Sequence, residues 1–250
     1  MADEERTPLR EQYALLKKSD SGRRCSTRFG PSVNAAVLLV VVTLLVCLRV
    51  GRDAVVSRDL TFACVALFLI VMVGLYVFSA RRLPGALGGL TPSDYRVSAA
   101  MDFTPATELA LVGFSVSADL LPVIEWTRAS TDLVAARVGL AAATAACFVA
   151  IAGTPFHAFP ESHDLWSVVT FLMILGYAGA VASALGDAVL WSLWASLVVV
   201  FVLTLGALGA LLGHGLPSPS RANTAFALLS IAEHCFIATL ASFLIAAAYR

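Results

Sequence analysis

What most constrains this chain is a series of long stretches almost free of charge. Seven of them, roughly 33–50, 58–80, 105–126, 134–153, 165–185, 189–213 and 222–248, meet or approach what a membrane helix needs. A bilayer core takes about 20 apolar residues per helix, with a range of about 17–25. Backbone polar groups cannot face lipid unsatisfied, so each stretch is expected to be a helix. The punctuation between them agrees: Gly51-Arg-Asp, Arg81-Arg-Leu-Pro, Arg128-Ala-Ser-Thr-Asp, Thr154-Pro, Gly186-Asp and Leu216-Pro-Ser-Pro-Ser. Composition points the same way, with 59% apolar and 14% charged residues where soluble domains carry about 45–50% and about 25%. A soluble enzyme, a disordered chain and a coiled coil are excluded. The expected fold is an all-α membrane protein, a bundle of seven transmembrane helices over residues 33–250 behind a polar tail at 1–32.

The 17 basic and 17 acidic residues cancel, so nucleic-acid binding has no support. Their placement is more telling. The tail holds seven of the basic residues, from Arg6 to Arg28, and five acids. With that tail in the cytosol, the cytoplasmic side collects eleven Lys and Arg and the opposite side six. The positive-inside rule then puts the N-terminus in the cytosol. Loop 154–164, which has no Lys or Arg, would lie on the same side. The first apolar stretch follows a long polar tail and no small-residue cleavage site succeeds it. It reads as a retained span rather than a cleaved signal peptide.

Five cysteines show no CxxC spacing and no cluster with histidine. Cys47, Cys64, Cys147 and Cys235 sit inside apolar stretches and read as small apolar filler, while Cys25 in the tail is a candidate for acylation. Neither Asn34 nor Asn223 opens a glycosylation sequon. Gly209 and Gly213 form a small-xxx-small pair in the sixth stretch, the kind that lets helix backbones approach closely. Packing within the bundle is the expected use, with a membrane-protein partner on a small-residue face as the alternative.

Ionisable groups at membrane depth cost at least about 2.5–3.5 kcal/mol at a helix centre, so each needs a reason. Glu125 and Asp187 fall at the ends of stretches, where snorkelling or water makes them cheap. Glu108 lies about a turn inside the third. Asp119 is deeper, with Pro122 less than a turn later freeing a backbone carbonyl. Glu233 and His234 lie in the middle of the last stretch. No Lys or Arg lies at comparable depth to pair with Asp119 or Glu233. An acid in low dielectric without a basic partner keeps its proton, and such a group can gate a pore, relay protons, bind a cation or simply hydrogen-bond another helix. Glu233, Asp119 and His234 are therefore the candidates for ion or proton gating.

Catalytic signatures are missing: no HExxH, no GxSxG and no glycine-rich phosphate loop. No enzyme and no cofactor is expected. His157 and His163 flank Phe159-Pro-Glu-Ser162 with Glu161 and Asp164 close by, a set that fits no standard metal spacing and reads as a solvated loop.

Several of these residues carry a resemblance. Ser218-Pro219, then Ala227-Leu228, then an acid at Glu233 resembles the last span of the BAX-inhibitor-motif transmembrane family, which includes the lifeguard proteins and seven-span relatives of cytomegaloviruses. Arg81-Arg82-Leu-Pro84, Phe114-Ser-Val-Ser and His163-Asp164-Leu-Trp166 are weaker echoes. The resemblance covers scattered positions over most of residues 33–250. It implies a protein of an endomembrane such as the ER or Golgi, or of the plasma membrane, that modulates cell death or calcium homeostasis. One departure matters: the second acid that the family carries in its sixth span is absent from Thr204-Leu-Gly-Ala-Leu-Gly-Ala210, which leaves Asp119 as the substitute partner for Glu233.

A second resemblance, to the Frag1/DRAM/Sfk1 membrane family, rests on Ser98-Ala-Ala-Met-Asp-Phe-Thr-Pro105, Arg137-Val-Gly-Leu140, His163 and Thr224-Ala-Phe-Ala-Leu228. It implies six spans, a role in lipid-anchor remodelling or autophagy, and a lumenal motif containing Ser98, Asp102 and His163. A membrane scaffold without transport activity is the third reading.

Overall fold

The computed structural model describes residues 52–82, 104–128, 130, 132–152, 160–212 and 219–250. Among these residues the chain is all helix, without a strand: α1 (Ala54–Arg82), α2 (Thr104–Thr127), α3 (Val134–Ala152), α4 (Pro160–Leu185), α5 (Ala188–Leu212) and α6 (Pro219–Ala248). The expected span at 33–50 lies outside the described residues, as do the tail at 1–32, Ser98 and Asp102. The structure therefore shows six of the seven expected helices.

Among the described residues five helices, α1 and α3 to α6, are long and apolar enough to cross a membrane. Helix α2 is 24 residues long and carries Glu108, Asp119 and Glu125. It runs antiparallel to α1: Ser57 Oγ donates to the Ile124 carbonyl at 3.1 Å, Cys64 Sγ to the Ser117 carbonyl at 3.1 Å, and Gly113 lies against Val71. A Cβ built on Gly113 would come 2.1 Å from Val71 Cγ2, so α1 and α2 touch there only because residue 113 has no side chain.

Each helix packs on the next in sequence, and α6 returns to meet both α1 and α4. The bundle is thus closed between its first and last described helices. Its core gathers Ile124 from α2, Tyr177, Ala178, Val181 and Ala182 from α4, and Phe236 and Phe243 from α6, all nearly or wholly buried. Outward faces carry Ile70, Val73, Val199, Val202 and Leu203, each more than half exposed, as lipid-facing surfaces require.

One end of the bundle is tied with care. Asp53 caps α1, its Oδ1 accepting from Val55 N at 2.8 Å, while its own N–H donates to the Thr127 carbonyl at the end of α2. Gly186, at φ +64°, ends α4 in the left-handed conformation that glycine adopts without strain. Asp187 then caps α5 through Val189 N at 2.8 Å. Trp126, Trp191 and Tyr249 lie at the same end, with the Arg52 guanidinium 5.9 Å from the Trp126 ring centre. Trp and Tyr gather where a bundle meets headgroups.

The glycines of α5 do not pack as expected. Gly206 and Gly209 are exposed, and a Cβ on either would meet nothing within 4 Å. Gly213 lies outside the described residues. The reason is visible in the register: Phe201, Thr204 and Ala207 are the buried positions of this segment, which turns the glycines to the opposite side.

Candidate functional site

Glu233 sits half-buried in the middle of α6, as the sequence places it. It lines two cavities at once. The smaller, about 20 Å³, lies between α4, α5 and α6, where Glu233 meets Ser167 and Thr204 among apolar walls. A cavity needs roughly 10–15 Å³ and a few polar partners to hold one water, so this one suits a single molecule. The larger, about 90 Å³, lies between α2, α3, α4 and α6 and is walled by Phe114, Phe148, Phe171 and Phe236 together with aliphatic side chains. Ser167, Phe171 and Glu233 belong to both cavities. Phe171 is the partition, its ring 4.4 Å from that of Phe236 and 6.0 Å from that of Phe201.

His234 stands next in sequence but on another face. Its Nδ1 lies 2.7 Å from the Ser230 carbonyl one turn back, and it contributes to neither wall.

Asp119 is buried, 3% exposed, and neither carboxyl oxygen has a hydrogen-bond partner. Ser115, one turn earlier on the same face of α2, also has an unpartnered hydroxyl. Thr61, Ser117, Thr127, Thr144, Thr170 and Thr204 behave differently, each donating to a carbonyl one turn back. Because neither oxygen of Asp119 is hydrogen-bonded, the expected pairing of Asp119 with Glu233 does not form.

The most elaborate polar site is one that the sequence reading passed over. Glu125 is not a snorkelling residue at a span end; its side chain is fully buried. Its Oε1 accepts from Tyr177 Oη of α4 at 2.9 Å and from Arg128 Nη2 at 3.1 Å. Its Oε2 accepts from Arg128 Nε at 3.2 Å and lies 3.2 Å from Nη1 of the fully buried Arg137 on α3. Arg137 Nη2 donates to the Ser130 carbonyl at 2.6 Å, and Arg128 Nη1 donates to the Ala247 carbonyl at the end of α6. One carboxylate thus joins α2, α3 and α4, and Arg128 carries the tie to α6. The signal was present as Glu125, Arg128 and Arg137, an acid and two bases within thirteen residues at one bundle end. Treating the bases as loop charges hid it.

His163 also departs from expectation. It is not in a solvated loop but inside α4 and buried, 1% exposed. Helix α4 begins five residues before the apolar stretch proper, at Pro160, a residue suited to the first helical turn. His157 lies outside the described residues.

No family model, curated protein or solved structure matches this chain.

Proposed function

We propose that this is a multi-pass membrane protein of the ion-homeostasis class, in which Glu233 takes up and releases a proton at mid-membrane. Modulation of cell survival would follow from that activity, as the BAX-inhibitor-motif resemblance implies. The observation that carries the reading is the small cavity in which Glu233, Ser167 and Thr204 are the polar groups among apolar walls. Two hydroxyls and one carboxyl around room for one water are what a proton relay uses, and the space is too small for a hydrated calcium ion. The test is proteoliposomes of the full chain loaded with a pH dye, with a calcium dye in a parallel arm. Wild type should dissipate a proton gradient and Glu233→Gln should not. Equal rates in the two proteins would sink the reading.

A lipid-handling role is favoured by a different observation. Arg137 and His163, two residues of the Frag1-type resemblance, are both buried and lie on adjacent helices α3 and α4. Cysteine labelling of residues 85–103 separates the two readings: a lumenal location supports lipid handling and a cytosolic one supports the first.

A further inference from the structure

The bundle holds a third cavity, about 30 Å³, lined by Cys64 and Phe68 of α1, Ser117 and Leu121 of α2, and Leu244 of α6. It shares Phe114, Phe148 and Leu240 with the cavity of about 90 Å³. That cavity in turn shares Ser167, Phe171 and Glu233 with the smallest one. The three therefore adjoin in a series through shared wall residues, each partly open rather than sealed.

The series has a direction. Along α6 it passes Leu229, Glu233, Leu240 and Leu244, and along α2 it passes Phe114, Ser117 and Leu121. From Glu233 to Leu244 is about 16 Å at the helical rise, or roughly half a bilayer core. One further turn brings both helices to the ion cluster, at Glu125 on α2 and Ala247 on α6. That cluster fills the end of the line, drawing in Arg137 from α3 and Tyr177 from α4.

We propose that these voids are segments of one closed passage for protons and water, running through the bundle interior from Glu233 towards the Glu125 cluster. Its neck is the ring group Phe68, Phe114 and Phe148, with centroids 5.0 to 6.3 Å apart, facing Leu240. A neck of this composition excludes water by dewetting rather than by filling every space, the way hydrophobic constrictions gate channels. Beyond it, the Glu125–Arg128–Arg137 group seals the far end with charges that no passing cation displaces easily. What travels rests on the proton reading of Glu233; the path itself rests on the shared walls.

Cys64 supplies a native reporter, because its thiol lines the void beyond the neck and a thiol reacts with a charged methanethiosulfonate only when water reaches it. The experiment uses the full chain in liposomes, with the other four cysteines replaced, and the impermeant 2-(trimethylammonium)ethyl methanethiosulfonate added to either side. With Phe148 intact, Cys64 should be inert. Phe148→Ser should raise its modification rate at least tenfold, and only from the side of the bundle opposite Asp53 and the Glu125 cluster. Leu240→Ser, on the facing wall, repeats the test should Phe148→Ser fail to fold. Cys64 remaining inert in a folded neck variant would overturn the passage, as would equal reaction from both sides. Adding Glu233→Gln to Phe148→Ser should leave the Cys64 rate unchanged while stopping proton flux. The passage and the proposed role of Glu233 can therefore fail separately.

Discussion

Arg137 on α3 holds Glu125 on α2 at 3.2 Å, with both side chains wholly buried. Arg128 shares the same carboxylate through two nitrogens, so the cluster carries one acid against two bases. Taking charges out of water is expensive, and such groups are tolerated only when paired and hydrogen-bonded. The imbalance predicts an asymmetry between mutants. Glu125→Gln strands both guanidinium groups and should cost about 3–5 kcal/mol, the penalty typical of breaking a buried pair. Arg137→Met leaves Glu125 matched to Arg128 and Tyr177, and should cost less than half as much. Unfolding in mixed micelles measures both, and equal losses would show that the cluster is not organised around its single acid.

The contact of Gly113 with Val71 predicts a size-dependent defect. Gly113→Ala puts a methyl 2.1 Å from Val71 Cγ2, on a buried side chain. Overpacking of this kind costs about 1–3 kcal/mol. Val71→Ala in the same protein should restore most of the loss, although alone it would leave a cavity and destabilise. A double-mutant cycle reads the coupling directly. Additive effects would mean that the helices separate rather than clash.

Asp119 predicts a gain. Its two oxygens are buried without partners, which costs about 1–3 kcal/mol relative to a satisfied or apolar group. Asp119→Leu should therefore raise the unfolding midpoint, and Asp119→Asn should move it little. A loss of stability with Leu would mean that the carboxyl is occupied in the membrane. The same substitution should leave any proton flux that depends on Glu233 unaltered, since Asp119 belongs to neither wall around that residue.

The helices were legible because membrane segments announce themselves by length and lack of charge. The stretches read at 134–153 and 189–213 became Val134–Ala152 and Ala188–Leu212, within a residue at each end. Starts marked by polar residues were less visible. Helix α4 begins at Pro160 and α6 at Pro219, because capping and the first turn tolerate polar residues that a hydropathy window rejects. Glu233 was placed at mid-helix from sequence alone. The cavities around it were not, since they depend on which faces of α4, α5 and α6 meet. Glu125 was misread because a charge near a span end looks solvated until its partners, twelve residues on at Arg137 and on another helix at Tyr177, are brought together.

The junction of α4, α5 and the chain end separates two effects of one aspartate. Asp187 caps α5 through Oδ1 and pairs with Arg250 Nε through Oδ2 at 2.8 Å, with the arginine side chain 49% exposed. A pair this open to solvent is worth about 0–1 kcal/mol and is screened by salt. Loss of an N-cap costs about 0.5–2 kcal/mol and responds weakly to salt, because it is a local hydrogen bond to backbone. Arg250→Ala should thus cost little, and that little should vanish at 1 M salt, where the screening length falls to about 3 Å. Asp187→Ala should keep most of its larger loss at the same salt concentration, and Asp187→Asn should recover the cap while forfeiting the pair. If Asp187→Asn were as unstable as Asp187→Ala at high salt, where the pair is screened, the side-chain cap would not be what holds the start of α5.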